Sequence, residues 1–398
     1  MQQKLKDFFR SYMSSETIFK NKEALSHSYI PDTILHRDEQ ISTLAKILAP
    51  CLRNEKPSNV FIYGTTGTGK SLVTRMILSE LNSVSNGNVV TIYLNCKLKK
   101  ISDTEYRVLS AILRELNYPV PETGLPTESL YNKFFELIDS KKQTIIIALD
   151  ELDALVKKIG DELLYNLTRI NSELSNSKVC LIGISNDLSF VDDLDSRVKS
   201  SLSEEEVIFP PYDAMQLRDI LWQRVKLALK DGVVSESVVA KCAAIAAQEQ
   251  GDARRALDLL RVAAELVERD KKTKITEEYI DLADQKLDID RVTELVKMQP
   301  RHTQLILYSI FKVFEKGNTE ISTGDIFDEY QRLCMQNGFR MLTQRRISDL
   351  ISELDMLGII TTKVISKGRY GRTRTIRLSI GKQPYDKLKK YFEELYGV

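Results

Sequence analysis

The residues best equipped for chemistry sit in two short segments. The first is Gly64-Thr65-Thr66-Gly67-Thr68-Gly69-Lys70-Ser71, followed by Leu72. It fits G-x-x-x-x-G-K-[ST] at every fixed position. Val60, Phe61, Ile62 and Tyr63 precede it as a buried strand would, and 72–81 follows with helical periodicity. Glycines in such a turn let backbone N–H groups close around an anion, and the helix N-terminus adds positive potential. Lys70 can reach the outer phosphates of a nucleoside triphosphate, and Ser71 can hold Mg2+. The second segment, 144–149 followed by Asp150-Glu151, puts two acids at the end of an apolar strand. There Asp150 can share the metal with Ser71, and Glu151 can polarise an attacking water. Asn186 follows another apolar run, 179–185, and its short amide would point toward the γ-phosphate or its water. Together these segments predict binding of ATP or ADP with Mg2+.

Chemistry of this kind needs a sheet edge to hold it. From residue 29 to about 210, strand patterns at Val60–Tyr63, Val89–Asn95, 144–149, Lys178–Ser185 and 207–209 alternate with helical ones. That alternation predicts a parallel five-stranded α/β sheet. From 213 to about 283 strand signals vanish, and 215–229, 235–250 and 253–268 read as helices with Ser235 and Asp252 as N-caps. Residues 284–300 read as a connector helix and linker. The expected boundaries are an N-terminal arm at 1–25, a nucleotide-binding base at 26–210, a helical lid at 211–290 and a C-terminal domain at 291–398.

The 398 residues carry a net charge of +1, with 42% hydrophobic and 28% charged residues, as in an ordinary multidomain globular chain. No apolar run approaches the ~20 residues of a membrane helix, and the N-terminus lacks a secretory h-region. The expectation is a cytoplasmic, nucleoid-associated protein with no membrane partner. Five scattered cysteines and three histidines offer no zinc spacing and no disulfide framework. Cys96 and Cys180, in strand-like runs, read as small core residues.

The C-terminal part breaks the charge balance. Between 340 and 390 there are thirteen basic residues against four acidic ones. The pattern there is three helices and a hairpin: 302–314, a helix capped by Ser322 or Thr323 with Asp325 in its first turn, a helix capped by Thr343, then strands at 359–366 and 373–380. That is a winged helix-turn-helix. Thr343, Gln344, Arg345 and Arg346 open the third helix, where major-groove contacts fall. Lys367, Arg369, Tyr370, Arg372 and Arg374 surround the hairpin tip, suited to a minor groove or phosphates. A basic patch on this motif predicts double-stranded DNA as partner.

The motifs at 64–71, 145–153, Ser185-Asn186-Asp187 and Gly251-Asp252-Ala253-Arg254 occur in that order. They resemble Walker A, Walker B, sensor 1 and sensor 2 of an AAA+ ATPase. The Gly-Asp-Ala-Arg form, followed by a winged helix, resembles the archaeal initiators related to the origin recognition complex and the cell division control loading factor. The resemblance covers nearly the whole chain beyond the arm. It implies that Arg254 reaches the phosphates from the lid, and that Tyr212 and Arg224 line the nucleotide at the base–lid junction. Ile30 and Pro31 through Arg37 would pack against the adenine, and Arg197 would act as a trans arginine finger. The region 101–138 would be an insertion that can touch DNA through its 117–128 turn. The implied function is ATP-dependent recognition of replication-origin DNA and recruitment of the replicative helicase, alongside paralogous initiator subunits. Slow hydrolysis would serve as the switch. A nucleotide-gated transcription regulator and a clamp-loader-like subunit are the alternatives.

Overall fold

Alternation along the strands decides how the first sheet is buried. In the computed structural model, which describes residues 17–97, 104–121, 125–187, 189–190, 194–202, 204–317, 321–366 and 372–397 (backbone only at 364–366 and 372–373), five strands run parallel. They are β1 (Val60–Tyr63), β2 (Val89–Asn95), β3 (Thr144–Asp150), β4 (Lys178–Ser185) and β5 (Glu205–Ile208), in the order β2-β3-β4-β1-β5. On β3, Ile145, Ile147 and Leu149 enter one core, while Ile146 and Ala148 enter another. Helices Glu105–Glu115, Thr127–Ile138, Leu152–Ile159, Glu162–Arg169 and Ser196–Leu202 cover the first face. Asp38–Leu48 and Lys70–Val84 cover the second. A strand buried on both faces cannot alternate with polar residues, which is why 145–149 is continuously apolar. Each fully buried isoleucine contributes roughly 1.5–3 kcal/mol, so Ile145 to Ile147 anchor the sheet centre.

This strand order has a direct consequence for the site. β3, β4 and β1 are neighbours and parallel, so their C-terminal ends share one edge. The loop 64–71, Asp150 and Asn186 therefore meet there, at the place where open α/β sheets bind ligands.

Helices Ala214–Ala228, Glu236–Gln248 and Ala253–Arg269 form the lid. Asp213 and Gln216 close a capping box on the first, and Asp252 Oδ1 accepts from Arg254 N (2.7 Å) on the third. Ser235 occupies the expected cap position without making the bond; its hydroxyl pairs with Ser237 Oγ at 3.1 Å. Residues 17–25 depart from the expected arm. Ile18, Phe19, Ala24 and Leu25 are buried, and Phe19 bridges to Leu229 at the end of the first lid helix. Two apolar pairs within a polar stretch suffice to dock it.

The chain divides into units 1–280 and 281–398, a division that falls within the long helix Glu277–Lys297. In the second unit, helices Arg301–Glu315, Thr323–Asn337 and Gln344–Met356 pack with an antiparallel sheet of order β6-β8-β7: β6 (Ile321–Ser322), β7 (Ile360–Ser366) and β8 (Arg372–Leu378). The Ser322–Asp325 capping box forms as its spacing predicts. The short β6 and the helix Lys382–Tyr396, whose Leu388, Phe392 and Tyr396 enter the core, were not anticipated. All five cysteines are buried, and none is in a disulfide. Among the described residues, no helix is long and apolar enough to cross a membrane.

Candidate nucleotide cleft and nucleic-acid interface

The phosphate loop is shaped by what crowds it. Gly67 has φ +71°, and a Cβ there would meet Asp252 Oδ1 at 1.6 Å. Lys70 Nζ donates to Gly64 O and Thr65 O, both at 2.7 Å, leaving one of its three hydrogens for a ligand. Burial lowers the Lys70 ammonium to about 8, helped by the Arg254 charge and opposed by Asp150, Glu151 and Asp252. Thr68 Oγ1 donates to Thr65 O, and Thr66 Oγ1 to Asp252 Oδ2 at 3.4 Å. Gly67 through Leu72 line the cleft, whereas Gly64, Thr65 and Thr66 do not.

The metal candidates also meet. Ser71 Oγ donates to Asp150 Oδ2 at 2.8 Å, and Glu151 N donates to Asp150 Oδ1 at 3.0 Å. This set is oxygen only and fits a hard cation such as Mg2+. Tyr93 OH donates to the same Asp150 Oδ2. Burial first, then the Asp150 charge, push the Tyr93 phenol well above its usual range, so it stays a donor. Glu151 adopts left-handed backbone angles (φ 60°, ψ 43°) as N-cap of Leu152–Ile159, a strained conformation of the kind that clusters at active sites. Asn186 Nδ2 donates to Glu151 Oε2 at 3.0 Å, and Lys97 Nζ lies 3.9 Å from that oxygen.

Base and lid close over this edge. Ala253 N donates to Gly67 O at 3.3 Å, and Tyr212 N to Gly251 O at 3.3 Å. A Cβ on Gly251, which has φ +67°, would lie 2.4 Å from Tyr212 O. Arg254 is exposed and lines the cleft opposite Lys70, as do Ile30, Pro31, Tyr212 and Arg224. Arg224 is only 5% exposed and stacks on Tyr29 at 4.7 Å; its Nη2 donates to Tyr29 O, while Nε and Nη1 have no hydrogen-bond partner among the described residues. Such a buried, half-satisfied guanidinium is costly without an acceptor, and the cleft it lines is where a nucleotide could supply one.

Arg37 departs from its expected place against the adenine. It does not line the cleft. Its guanidinium is buried, donates to Thr68 O (2.8 Å), His36 O (3.1 Å) and Pro210 O (2.6 Å), and stacks on the Tyr212 ring at 3.7 Å. It braces the phosphate loop against the start of the lid. Burial lowers its pKa, against the pull of Tyr212.

Arg197 opens the helix Ser196–Leu202, away from the cleft of its own chain. Its Nε and Nη2 donate to Asp195 at 3.0 and 3.1 Å, and it lies 5.0 Å from the Tyr165 ring centre. The Arg197 bonds pull the Asp195 carboxyl down to about 2.

In the second unit, Thr343 Oγ1 accepts from Arg346 N, so this hydroxyl serves as the cap of Gln344–Met356. Gln344 and Arg345 are exposed; Arg346 pairs with Glu353 at 3.7 Å. Arg374 departs from the expected surface role: its Nη1 donates to Ser352 Oγ (2.5 Å) and Ser348 O (3.4 Å), tying the wing to the helix. Lys367, Arg369 and Tyr370 lie outside the described residues, as do 122–124 of the 117–128 turn; of Arg372 only the backbone is described.

The sequence reading missed Tyr93, Lys97 and Tyr29. Tyr93 and Lys97 look like an ordinary strand residue and loop cation until β2 is registered on β3, with Asn95 opposite Asp150.

Comparison with known proteins fits this layout. The chain matches an AAA domain over 53–189, the Cdc6 AAA+ ATPase-type lid domain over 218–285 and the CDC6 C-terminal winged helix domain over 294–387. The AAA match marks a domain class that binds and hydrolyses ATP. A structure of the Aeropyrum pernix ORC1 protein in complex with DNA is 43% identical, with a TM-score of 0.84 over 96% of this chain and 98% of that one. The ORC1-type DNA replication protein 1 of Methanosarcina mazei is 51% identical over 99% of this chain and 95% of its own length. The ORC1-type DNA replication protein of Thermococcus kodakarensis is 53% identical, over 94% of this chain and 92% of the relative. Likeness at that level, end to end and through all three modules, places the chain in the archaeal ORC1/Cdc6 family of DNA replication proteins.

Proposed function

We propose that this chain binds double-stranded DNA at replication origins under the control of ATP and recruits the replicative helicase there. The observation that carries the switch is the contact between lid and phosphate loop. Ala253 N bonds to Gly67 O, and Asp252 fills the space a Gly67 side chain would take. What the loop holds is thereby coupled to where the lid sits. The A. pernix ORC1 structure with DNA supports the DNA reading, as does the basic winged helix with exposed Gln344 and Arg345.

In this reading Lys70 gives its remaining hydrogen to the outer phosphates, and Arg254 reaches them from the lid. Ser71 and Asp150 hold Mg2+, which when bound neutralises the outer phosphates. Glu151 orients the water; Asn186 holds the Glu151 carboxylate and senses the γ-phosphate. Hydrolysis is slow because Glu151 is engaged by Asn186 and Lys97, so the step times a switch rather than driving a motor. Tyr212 and Arg224 line the nucleotide beside Ile30 and Pro31, and Arg197 acts on a neighbouring copy or paralogue. The working modules are a base at 26–210, a lid at 211–290 and a DNA reader at 291–398.

The test is the affinity of the full chain for origin duplex with ATP, with ADP and without nucleotide. A clear ATP dependence supports the switch, and three equal affinities overturn it. Mapping of chromosomal sites separates initiator from transcription regulator: enrichment at promoters with none at origins overturns the initiator reading.

A further inference from the structure

Asp150 is only 5% exposed and its carboxylate accepts from three donors, Glu151 N on Oδ1 and Ser71 Oγ and Tyr93 OH on Oδ2, which leaves acceptor capacity on Oδ1 for a cation. Two of these belong to the motif segments themselves. The third comes from β2, the neighbouring strand, where Tyr93 pairs in register with Ala148 and Asn95 with Asp150. The outer face of the Tyr93 ring is covered by the Arg75 guanidinium, 4.2 Å from its centre, one helical turn beyond Ser71. Ser71 and Arg75 thus grip the phenol and its acceptor from the same helix, Lys70–Val84.

We propose that Tyr93 is a positioning residue for the divalent cation: its hydroxyl fixes the Asp150 carboxylate in the orientation that Ser71 and the cation need, and Arg75 holds the ring in place. This rests on the nucleotide reading of the cleft. Groups that orient a metal-binding carboxylate typically matter 10–100-fold in metal affinity when removed. The effect falls on the metal because Tyr93 does not line the cleft.

The experiment measures binding of a non-hydrolysable ATP analogue by calorimetry, in Mg2+ and in EDTA, for the wild-type full chain and for Tyr93→Phe. Phenylalanine keeps the ring and its stacking on Arg75, so the melting temperature reports any loss of fold. The expected result is unchanged affinity in EDTA, with the gain conferred by Mg2+ reduced about tenfold. A Mg2+ gain equal to or greater than wild type overturns the proposal, as does an equal loss in both buffers, which marks a purely structural role. A wild-type chain that takes up no analogue in either buffer overturns the nucleotide reading itself, and the Tyr93 proposal with it. Arg75→Lys, which keeps the charge but not the planar stack, should reproduce part of the Tyr93→Phe loss; an Arg75→Lys chain with the full wild-type gain removes Arg75 from the proposal.

Discussion

The cleft and the winged helix solve opposite problems with similar residues. At the cleft, Lys70 is buried and tied to two loop carbonyls and Arg224 to Tyr29, Arg37 braces the phosphate loop from outside it through three carbonyls, and Arg254 alone of these four is exposed. On the helix Gln344–Met356, Arg345 is exposed and makes no ion pair among the described residues, while its neighbour Arg346 reaches only as far as Glu353. A buried cation is positioned once, by the fold, for one ligand atom. An exposed one keeps its hydration and its rotamers until a partner arrives, and its contribution is screened by salt. The same side chain therefore encodes geometry in one unit and long-range attraction in the other.

The contrast is open to breakage at several points. The largest effect is expected from Lys70→Ala, which removes a buried charge-assisted donor. Nucleotide binding should weaken by at least ~2 kcal/mol, about thirtyfold, while circular dichroism shows the fold intact. Retained binding would mean the cleft does not depend on its buried cation. Next is Gly251→Ala, which places a Cβ against the Tyr212 carbonyl at positive φ. A cost of about 1–3 kcal/mol should appear as a lower melting temperature with weaker nucleotide binding, and a melting curve like wild type would show that the junction relaxes freely. On the other side, Arg345→Ala should leave thermal stability alone and reduce the log–log salt slope of DNA binding by about 0.9 if the contact is to phosphate. Arg374→Ala should do the reverse, lowering stability because it unties the wing from Ser348 and Ser352. If both arginines behave alike, the distinction between brace and reader fails.

The smallest effect concerns pH. Lys70 titrates at about 8 in the folded chain against 10.5 ordinarily, chiefly through burial. An anion favours its charged form, so nucleotide affinity should be flat below pH 8 and fall above it. Folding stability should move the other way. The depressed pKa is a penalty fully present below pH 8 and lifted as pH rises from 8 toward 10.5, where the unfolded chain still holds the proton. Opposite slopes in titration calorimetry and in melting would identify this lysine.

What was legible in the sequence follows the same division. The loop 64–71 and Asp150-Glu151 could be read because a phosphate-binding turn fixes both residue types and spacing. The central strands β3 and β4 could be read because two-sided burial makes them nearly continuously apolar, whereas β5, Glu-Glu-Val-Ile and mostly exposed, was legible only at its apolar end. Two-residue β6 is too short to carry a period, and Lys382–Tyr396 hides its Leu388, Phe392 and Tyr396 stripe among charged neighbours. Arg37 was misplaced because its partners, Thr68 and Pro210, are brought together only by the folded base and lid. Tyr93 depends on strand register, and register is a property of the sheet rather than of any segment.

The distribution of buried thiols has a practical consequence. Three lie in the base (Cys51, Cys96, Cys180), one in the lid (Cys242) and one in the winged helix (Cys334), all shielded from solvent. Burial pushes Cys96 and Cys180 up to about 12, far from the reactive thiolate. Each module thus carries a native chemical clock: alkylation of its cysteine can proceed only as fast as that module opens. Followed peptide by peptide, with and without ATP, the labelling rates would rank the local stabilities of base, lid and winged helix without altering a single residue.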